Sequence, residues 1–553
     1  MRMTSFGAVL LAAGVLLIAS CGGDQVVPGV ALESITGDDL GKRIAILASD
    51  SFGGRAPSSG GEERTMAYLE ATFRGLGLQP GNDGSFFQEV PLVRSTAAPG
   101  ATLTIRGRGE VSRYTVGDDF VAWTVRVVET AALENSELVF VGYGVVAPEY
   151  DWNDYAGLDV RGKTVVMLVN DPGFATGDTA LFRGNAMTYY GRWTYKFEEA
   201  ARQGAEGAIV VHETEPAAYP WEVVRNGWTG PQFSLESADS NMRRVAVEGW
   251  ITVETARAIF EQAGQDYDAL KEQALERPFE PVRLGLAASV RLRNTIERST
   301  SRNFLALLPG TDRADEYVIY MAHWDHFGTD TTRDGDRIFN GAKDNATGTA
   351  ALIEIAEAFR AVSSAPSRSV LFLATTAEEQ GLLGSLHYAE NPVVPLANTV
   401  AAINMDAMNT LGPMRDVTIV GYGNSELDDY VARAAEEQGR VVRPDPEPEK
   451  GYFYRSDHFS FAKKGVPALY VDPGIDHVEH GEAWSLERLA EYTAERYHKP
   501  SDEYDPAWDL TGMREDLRLL FRVGYRLANS SDFPDWRPGT EFKAARDAMM
   551  GAR

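Results

Sequence analysis

Acidic and imidazole side chains lie just behind three predicted strands in the second half of the chain. They are His323 with Asp325, Glu378 with Glu379, and Asp406. In an open α/β sheet, ligands bind beyond the carboxyl ends of the strands. We therefore expect these five side chains to share one edge of one sheet.

Two further segments add donors to this group. Asp344 lies in a loop that leads into a predicted helix, and His498 follows Tyr497 near the C-terminal end. Each residue has a plain alternative when it is taken singly, since an Asp before a helix is often only an N-cap. If all of them converge at one place, they form a site and are not merely polar residues on the surface.

The donor types indicate a metal centre. Two imidazoles with several carboxylates suit zinc or a neighbouring divalent metal, and no thiolate is required. Five donors are too many for one catalytic zinc with an open position, so they suit two metals about 3.5 to 4 Å apart that share a carboxylate and a water. A free carboxylate must then accept the proton of that water. The adjacent Glu378 and Glu379 can divide these tasks, one as ligand and one as base.

The elements that would position these residues alternate from about Asn294 onward. This alternation favours an α/β fold with a mostly parallel sheet covered by helices on both faces. The helix predicted at 347–359 has an apolar stripe at helical spacing. Predicted strands are 317–321, 370–375, 399–403, 417–420 and 468–471.

The first half of the chain contains two regions with different predicted secondary structure. Residues 37–93 are predicted to be largely helical, with apolar positions at helical spacing. Residues 97–284 change to short apolar strands and turns, with one helix at 195–203. No cluster of metal-ligand types occurs in that second stretch.

The motifs together resemble the co-catalytic dizinc aminopeptidase family, a superfamily that also holds glutamate carboxypeptidases, the transferrin receptor and glutaminyl cyclase. The resemblance covers about residues 323–498 and implies a zinc-exopeptidase fold, phosphorylase/hydrolase-like, with two Zn²⁺ ions. The motifs that carry it are His323-Trp324-Asp325, Gly341-Ala342-Lys343-Asp344-Asn345-Ala346-Thr347-Gly348, Glu378-Glu379-Gln380-Gly381-Leu382-Leu383-Gly384-Ser385, Asn404-Met405-Asp406 and Tyr497-His498.

The resemblance also implies a metal-ligand set. Asp344 would bridge the two ions. One zinc would take His323 with Asp406, and the other would take Glu379 with His498.

Three more roles follow from the same resemblance. Glu378 would be the general base and acid, Asp325 would orient His323, and Tyr497 would donate to the tetrahedral oxyanion. His458 lies in a segment that supports the pocket walls in the family and is expected to be structural. No motif assigns a role to His212, His326, His387, His477 or His480.

By this resemblance, the peptidase domain would comprise residues 37–96 and 286–553. Residues 97–285 look like an inserted β-rich protease-associated domain, which would cover the edge of the active site and filter substrates by size. Residues 1–20 are interpreted as a signal peptide and residues 21–36 as a linker.

The N-terminus predicts export. The apolar run from Phe6 to Ala19 is too short to span a bilayer and follows a positive charge, as in a cleaved signal. The tetrapeptide ending at Cys21, Ile18-Ala19-Ser20-Cys21, resembles a bacterial lipobox. We expect a lipid anchor on Cys21 that holds the protein to the bacterial cell envelope, in the periplasm or at the outer membrane; the alternative is an ordinary signal peptide with an incidental cysteine.

The net charge of −27 argues against a nucleic-acid partner, since phosphate binding needs a basic face. The favoured function is hydrolysis of peptides from the amino end. A carboxypeptidase of the same superfamily is the alternative, and it needs a basic pocket for the terminal carboxylate that the sequence alone does not locate. Glutaminyl cyclase, and a receptor-like binding protein that has lost catalysis, are further alternatives, and the second conflicts with the complete ligand set. The sequence carries no signal for oligomeric state.

Overall fold

A computed structural model describes residues 26–551 of the 553-residue chain. Met1 to Gln25, which include the predicted signal peptide and Cys21, lie outside the described residues. None of the helices in the described range is both long and apolar enough to span a membrane.

The helices alternate with strands through most of the chain. Their bounds are α1 Gly29–Ser34, α2 Gly37–Leu47, α3 Gly60–Gly75, α4 Pro172–Thr176, α5 Trp193–Arg202, α6 Thr214–Ala217, α7 Trp221–Gly227, α8 Val253–Gln262, α9 Tyr267–Gln273, α10 Thr347–Ala361, α11 Leu383–Glu390, α12 Leu427–Glu436, α13 His458–Lys463, α14 Glu482–Glu495, α15 Thr511–Asn529 and α16 Lys543–Gly551.

The strands have these bounds: β1 Gln79–Pro80, β2 Phe87–Ala97, β3 Thr102–Gly107, β4 Glu110–Thr115, β5 Phe120–Trp123, β6 Thr130–Phe140, β7 Val146–Ala147, β8 Trp152–Asn153, β9 Thr164–Leu168, β10 Gly207–His212, β11 Pro231–Leu235, β12 Val247–Thr252, β13 Val282–Leu308, β14 Arg313–His323, β15 Gly328–Thr329, β16 Ile338–Phe339, β17 Arg368–Thr375, β18 Thr399–Asn404, β19 Asp416–Val420, β20 Val441–Pro444 and β21 Ala468–Pro473.

The first sheet has the order β11-β2-β13-β17-β14-β18-β21-β19-β20. Its centre, β17-β14-β18-β21, is parallel, whereas β2, β13 and the β21–β19 pair are antiparallel. The predicted α/β class, with a mixed sheet between helices, is confirmed.

Helices cover both faces of this sheet. Along β17 all eight residues are buried, and alternate side chains enter two different cores. Val370 and Phe372 pack in the core that contains α10 and α15, whereas Leu371 and Leu373 face the core that contains α13. A continuous apolar run is what a strand buried on both faces requires.

A second sheet contains most of the strands between β3 and β12. Its order is β4-β3-β13-β6-β9-β10-β12-β5. Strand β13 runs through both sheets, so the chain has no break at the boundary predicted at residue 285. Strand β11, from within the predicted insert, pairs with β2 in the first sheet.

Two local predictions differ from the structure. The described part of the predicted linker contains helix α1, and Ala31 and Ile35 are fully buried because they pack against the core around α10. The predicted helical stretch 37–93 ends instead in strand β2, which begins at Phe87 and pairs with β13. Pairing of β2 with two strands outweighs its local helical spacing.

Candidate metal centre

The predicted donors converge at one edge of the first sheet. Strand β14 ends at His323, which is the register partner of Thr375 at the end of β17. On the other side of β14, Met321 pairs with Asn404 at the end of β18. Because these three strands are parallel, the residues that follow them emerge on the same side.

Asp344 is brought to this edge by the turn before α10. The backbone N–H groups of Lys343 and Asp344 donate to the carboxylate of Asp502 at 3.1–3.2 Å. Gly341 has φ of 53°, and a Cβ at that position would collide with the carbonyl of Asp344 and the ring of His326. The turn therefore depends on the buried carboxylate of Asp502 and on Gly341, which together orient Asp344 toward the other donors.

The two carboxylate oxygens of Asp344 belong to two different groups of donors. Oδ1 lies 3.2 Å from Nε2 of His323, which is also 3.2 Å from Oδ1 of Asp406. Oδ2 lies 3.3 Å from Nε2 of His498, which is 3.2 Å from Oε2 of Glu379. A tetrahedral zinc with bonds of about 2.0–2.1 Å separates its donors by about 3.3 Å. Both groups therefore have spacing that fits a divalent metal.

The electrostatics of the cluster favour a cation. Burial lowers the pKa of His498, but Glu379 and Asp344 outweigh it and raise the pKa to about 10. Burial lowers the pKa of His323 as well, but Glu378, Asp406 and Asp344 outweigh it and raise that pKa well above its usual value. The surrounding carboxylates thus stabilise a positive charge at both imidazoles, which is the charge that a bound metal supplies.

His326 belongs to this cluster, although the sequence assigned it no role. Its Nδ1 lies 2.5 Å from Oε1 of Glu379, and it forms a potential metal-holding group with Glu379 and Asp344. The ring is fully buried. The available signal was its position three residues after His323, behind the same strand.

Glu378 and Glu379 have opposite surroundings. Burial raises the pKa of Glu378 well above its usual range, and Asp406 and Glu379 add to the rise while His323 opposes it. Burial and Asp344 would also raise the pKa of Glu379, but the adjacent imidazoles of His326 and His498 hold it at about 2. When their surroundings give two neighbouring carboxyl groups different pKa values, the two groups can take different chemical roles, here those of base and metal ligand.

Asp325 acts differently from the expected orienting carboxylate. Nδ1 of His323 hydrogen-bonds the backbone carbonyl of Asp325 at 3.2 Å, and the nearer carboxylate oxygen is 3.9 Å away. That oxygen instead accepts the backbone N–H of Glu378 at 3.1 Å. Asp325 thus contacts His323 through its backbone carbonyl and Glu378 through its side chain. Its carboxylate therefore positions Glu378.

Ser456 and Arg55 stabilise the donor cluster through hydrogen bonds to a donor side chain and to the backbone that carries the donors. The hydroxyl of Ser456 donates to Oδ2 of Asp406 at 2.6 Å. The buried guanidinium of Arg55 donates to backbone carbonyls on both sides of the cluster, including those of Trp324 at 2.9 Å and Asn340 at 2.6 Å. Neither residue was assigned from the sequence.

The remaining predicted residues fall into two groups. The ring of Tyr497 stacks on His498 with 3.7 Å between ring centroids, so it lies at the mouth of the cluster. His458 is fully buried against Phe453, away from the donors, as a structural residue would be. Among residues 26–551, no potential metal-holding group includes His212, His387, His477 or His480.

Comparison with known proteins points to one family. Residues 303–521 match the model of peptidase family M28. The mouse protein named aminopeptidase NAALADL1 is 30% identical over 158 residues, which cover 28% of this chain and 19% of that protein. A glutamate carboxypeptidase 2 homolog of Caenorhabditis elegans is 30% identical over 129 residues, or 22% of this chain and 15% of that protein. The matched part is thus about a fifth or less of the length of these relatives.

Solved structures share the architecture. An aminopeptidase from Aneurinibacillus sp. strain AM-1 superposes with a TM-score of 0.50 at 19% identity, covering 91% of this chain and 97% of that one. At this identity the likeness concerns the fold alone.

Proposed function

We propose that the protein is a zinc-dependent exopeptidase that removes single residues from the amino end of peptides, and the match of residues 303–521 to the model of peptidase family M28 supports this proposal. The observation that carries this proposal is the position of Asp344. Each of its two carboxylate oxygens joins a separate group made of one imidazole and one further carboxylate. Such a bridge is the arrangement that a two-metal hydrolase requires.

The proposed ligand sets follow from those contacts. His323, Asp406 and Oδ1 of Asp344 would hold one zinc, and His498, Glu379 and Oδ2 of Asp344 would hold the other. When bound, the ions lower the pKa of a water and polarise the scissile carbonyl. His326, at 2.5 Å from Glu379, fixes the rotation of that carboxylate.

Glu378 is the proposed general base. Its carboxylate is buried, lies 3.9 Å from Nε2 of His323, and has a pKa that is raised well above its usual range. A raised pKa favours accepting the proton of the water and then giving it to the leaving amine. The hydrogen bond from its backbone N–H to Asp325 fixes the turn that carries it. Tyr497, stacked on His498 at the mouth, is the proposed donor to the oxyanion.

The amino-end preference is supported by the acidic character of the site. The carboxylates of Asp344, Glu378, Glu379 and Asp406 outnumber the imidazoles of the cluster, which makes the site attractive to a free ammonium group next to the scissile bond. One relative is named an aminopeptidase and another a glutamate carboxypeptidase homolog, so the carboxyl end is the competing choice.

A substrate pair tests the function. Leucine p-nitroanilide and its N-acetyl derivative differ only in the free amine. We expect rapid cleavage of the first, less than about 1% of that rate on the second, loss of activity with a chelator, and recovery with zinc. Faster cleavage of the acetylated substrate would reject an aminopeptidase. The Glu378→Gln protein, purified identically, controls for contaminating peptidases.

We also propose that a lipid on Cys21 anchors the enzyme to the cell envelope and that the insert, residues 97–285, limits substrate size. The motif Ile18-Ala19-Ser20-Cys21 supports the anchor. A contact between the insert and the peptidase domain supports the limit on substrate size, because Lys463 of the peptidase domain pairs with Glu198 of the insert at 2.6 Å. Cys21→Ser should move the protein from the membrane to the soluble fraction, and retention in the membrane would contradict the anchor.

A further inference from the structure

Two arginines, Arg192 and Arg455, have no acidic partner in the part of the chain that the structure describes. Arg192 comes immediately before α5, and Arg455 follows the short turn Tyr452–Tyr454. Among the described residues, no carboxylate forms an ion pair with either guanidinium, and Nε of each is buried without a hydrogen-bond partner. Each guanidinium lies near an aromatic ring: Cζ of Arg192 is 5.6 Å from the ring centroid of Trp193, and Cζ of Arg455 is 5.2 Å from that of Tyr452.

Docking of the second sheet against the first brings these arginines close together. Tyr189, three residues before Arg192, has its ring centroid 6.1 Å from that of Tyr454, which precedes Arg455. The hydroxyl of Tyr454 donates to the carbonyl of Met187 at 3.2 Å. The two cations therefore lie at the junction of the predicted insert and the peptidase core.

This pairing is electrostatically unfavourable without a ligand. Burial lowers the pKa of Arg192 to about 10, and the positive charge of Arg455 lowers it in the same direction. The chain carries 80 acidic against 53 basic residues, yet none of the described acids neutralises this pair. Partly buried guanidinium groups with free donors are suited to a carboxylate, which they bind with charge-assisted hydrogen bonds.

The pair adjoins the reaction site. Ser456, the residue after Arg455, donates to Asp406, and Asp406 lies 3.2 Å from His323. The segment that carries Arg455 is therefore part of the wall of the metal centre.

We propose that Arg192 and Arg455 together bind a carboxylate of the substrate, so that the preferred substrates are dipeptides and other short peptides with a carboxylate close to the scissile bond. This inference rests on the proposed peptidase function and narrows its substrate class. It also provides the basic pocket that the sequence alone did not locate.

Equilibrium binding separates this subsite from catalysis. In the Glu378→Gln protein, which should not cleave them, calorimetry measures the binding affinities of Leu-Ala, Leu-Ala-amide and Leu-Glu-amide. We expect Leu-Ala to bind at least tenfold more tightly than its amide, and Arg192→Gln or Arg455→Gln to abolish that difference without weakening binding of the amide. Tight binding of Leu-Glu-amide would identify a side-chain carboxylate as the ligand instead of the terminal one. Arg183→Gln is the matched control, because Arg183 also crosses the junction but donates to the carbonyl of Tyr422.

The kinetic readout uses the same arginine variants with Glu378 intact. Each variant should raise KM for Leu-Ala at least tenfold with kcat within about threefold, and should leave KM for Leu-Ala-amide unchanged. Equal binding of Leu-Ala and its amide, or an equal loss on both in the variants, would overturn the subsite while leaving peptidase activity intact. Absence of all hydrolysis with the binding difference preserved would instead overturn the proposed function and retain the subsite.

Discussion

The hydroxyl of Ser456 donates to Oδ2 of Asp406 at 2.6 Å, while the other oxygen of that carboxylate faces His323 at 3.2 Å. Ser456 also accepts from Asn404 at 2.7 Å, so its hydroxyl hydrogen is directed at the acid. The carboxylate is thereby held in one rotation. Groups that orient a ligand in this way contribute to metal affinity without touching the metal.

Ser456→Ala is therefore expected to weaken binding of one zinc by about tenfold or more. Competition with a chromophoric chelator measures that affinity. Ser460→Ala is the control, since Ser460 is equally buried and its hydroxyl hydrogen-bonds the hydroxyl of Ser385 at 2.9 Å. Equal zinc affinity in both variants would show that Ser456 does not orient Asp406.

Glu378 and Glu379 should respond differently to the same substitution. Glu378→Gln removes the proton acceptor, so kcat should fall by about 10²–10⁴-fold with the metal content unchanged. Glu379→Gln removes a ligand, so the metal content should fall together with the rate. Metal analysis of both variants, beside their kinetics, checks the division of roles. Substantial activity in Glu378→Gln would refute its assignment as the base.

Arg55 should matter for both ligand loops at once. Its guanidinium donates to four backbone carbonyls, and a lysine in the same place cannot span them. We expect Arg55→Lys to lower the free energy of unfolding by on the order of 2 kcal/mol and to weaken zinc binding. Urea denaturation measures the first effect. Arg64→Lys, at an exposed position of α3, should change neither quantity.

His458 should make the protein sensitive to acid. Burial lowers its pKa to about 3. Because this value is below the unfolded pKa of about 6.5, the unfolded chain takes up the proton first, and stability falls as the pH drops below about 6.5. At pH 5 the loss from this residue is about 2 kcal/mol.

The His458→Gln variant isolates this effect. The difference in unfolding free energy between wild type and variant should shift by about 2 kcal/mol in favour of the variant between pH 7.5 and pH 5. Urea denaturation of chelator-treated protein measures it, and other titrating groups cancel because both proteins share them. A difference that does not change with pH would contradict a buried neutral imidazole.

Strand ends were the part of the site that sequence could predict. His323 and Glu379 each follow a continuous apolar run, and parallel pairing of such runs brings the residues behind them together. The five expected ligands accordingly meet in the structure. The predicted central strands and helix α10 agree with the observed bounds to within a few residues, apart from a longer start to β14.

Residues that act across the fold were not predictable in this way. Asp502 lies far from Asp344 in sequence, and its role depends on a turn that presents two backbone N–H groups to it. Arg192 and Arg455 meet only because two sheets dock. No local pattern of spacing or polarity encodes such contacts, whereas His326 had a local signal in its closeness to His323.

Diffraction from zinc-loaded crystals at the zinc absorption edge determines whether Asp344 bridges two zinc ions. We predict two anomalous peaks about 3.5–4 Å apart, one bonded to His323, Asp406 and Oδ1 of Asp344, the other to His498, Glu379 and Oδ2 of Asp344. A single peak, or two peaks that do not share Asp344, would rule out a bridging role for this carboxylate.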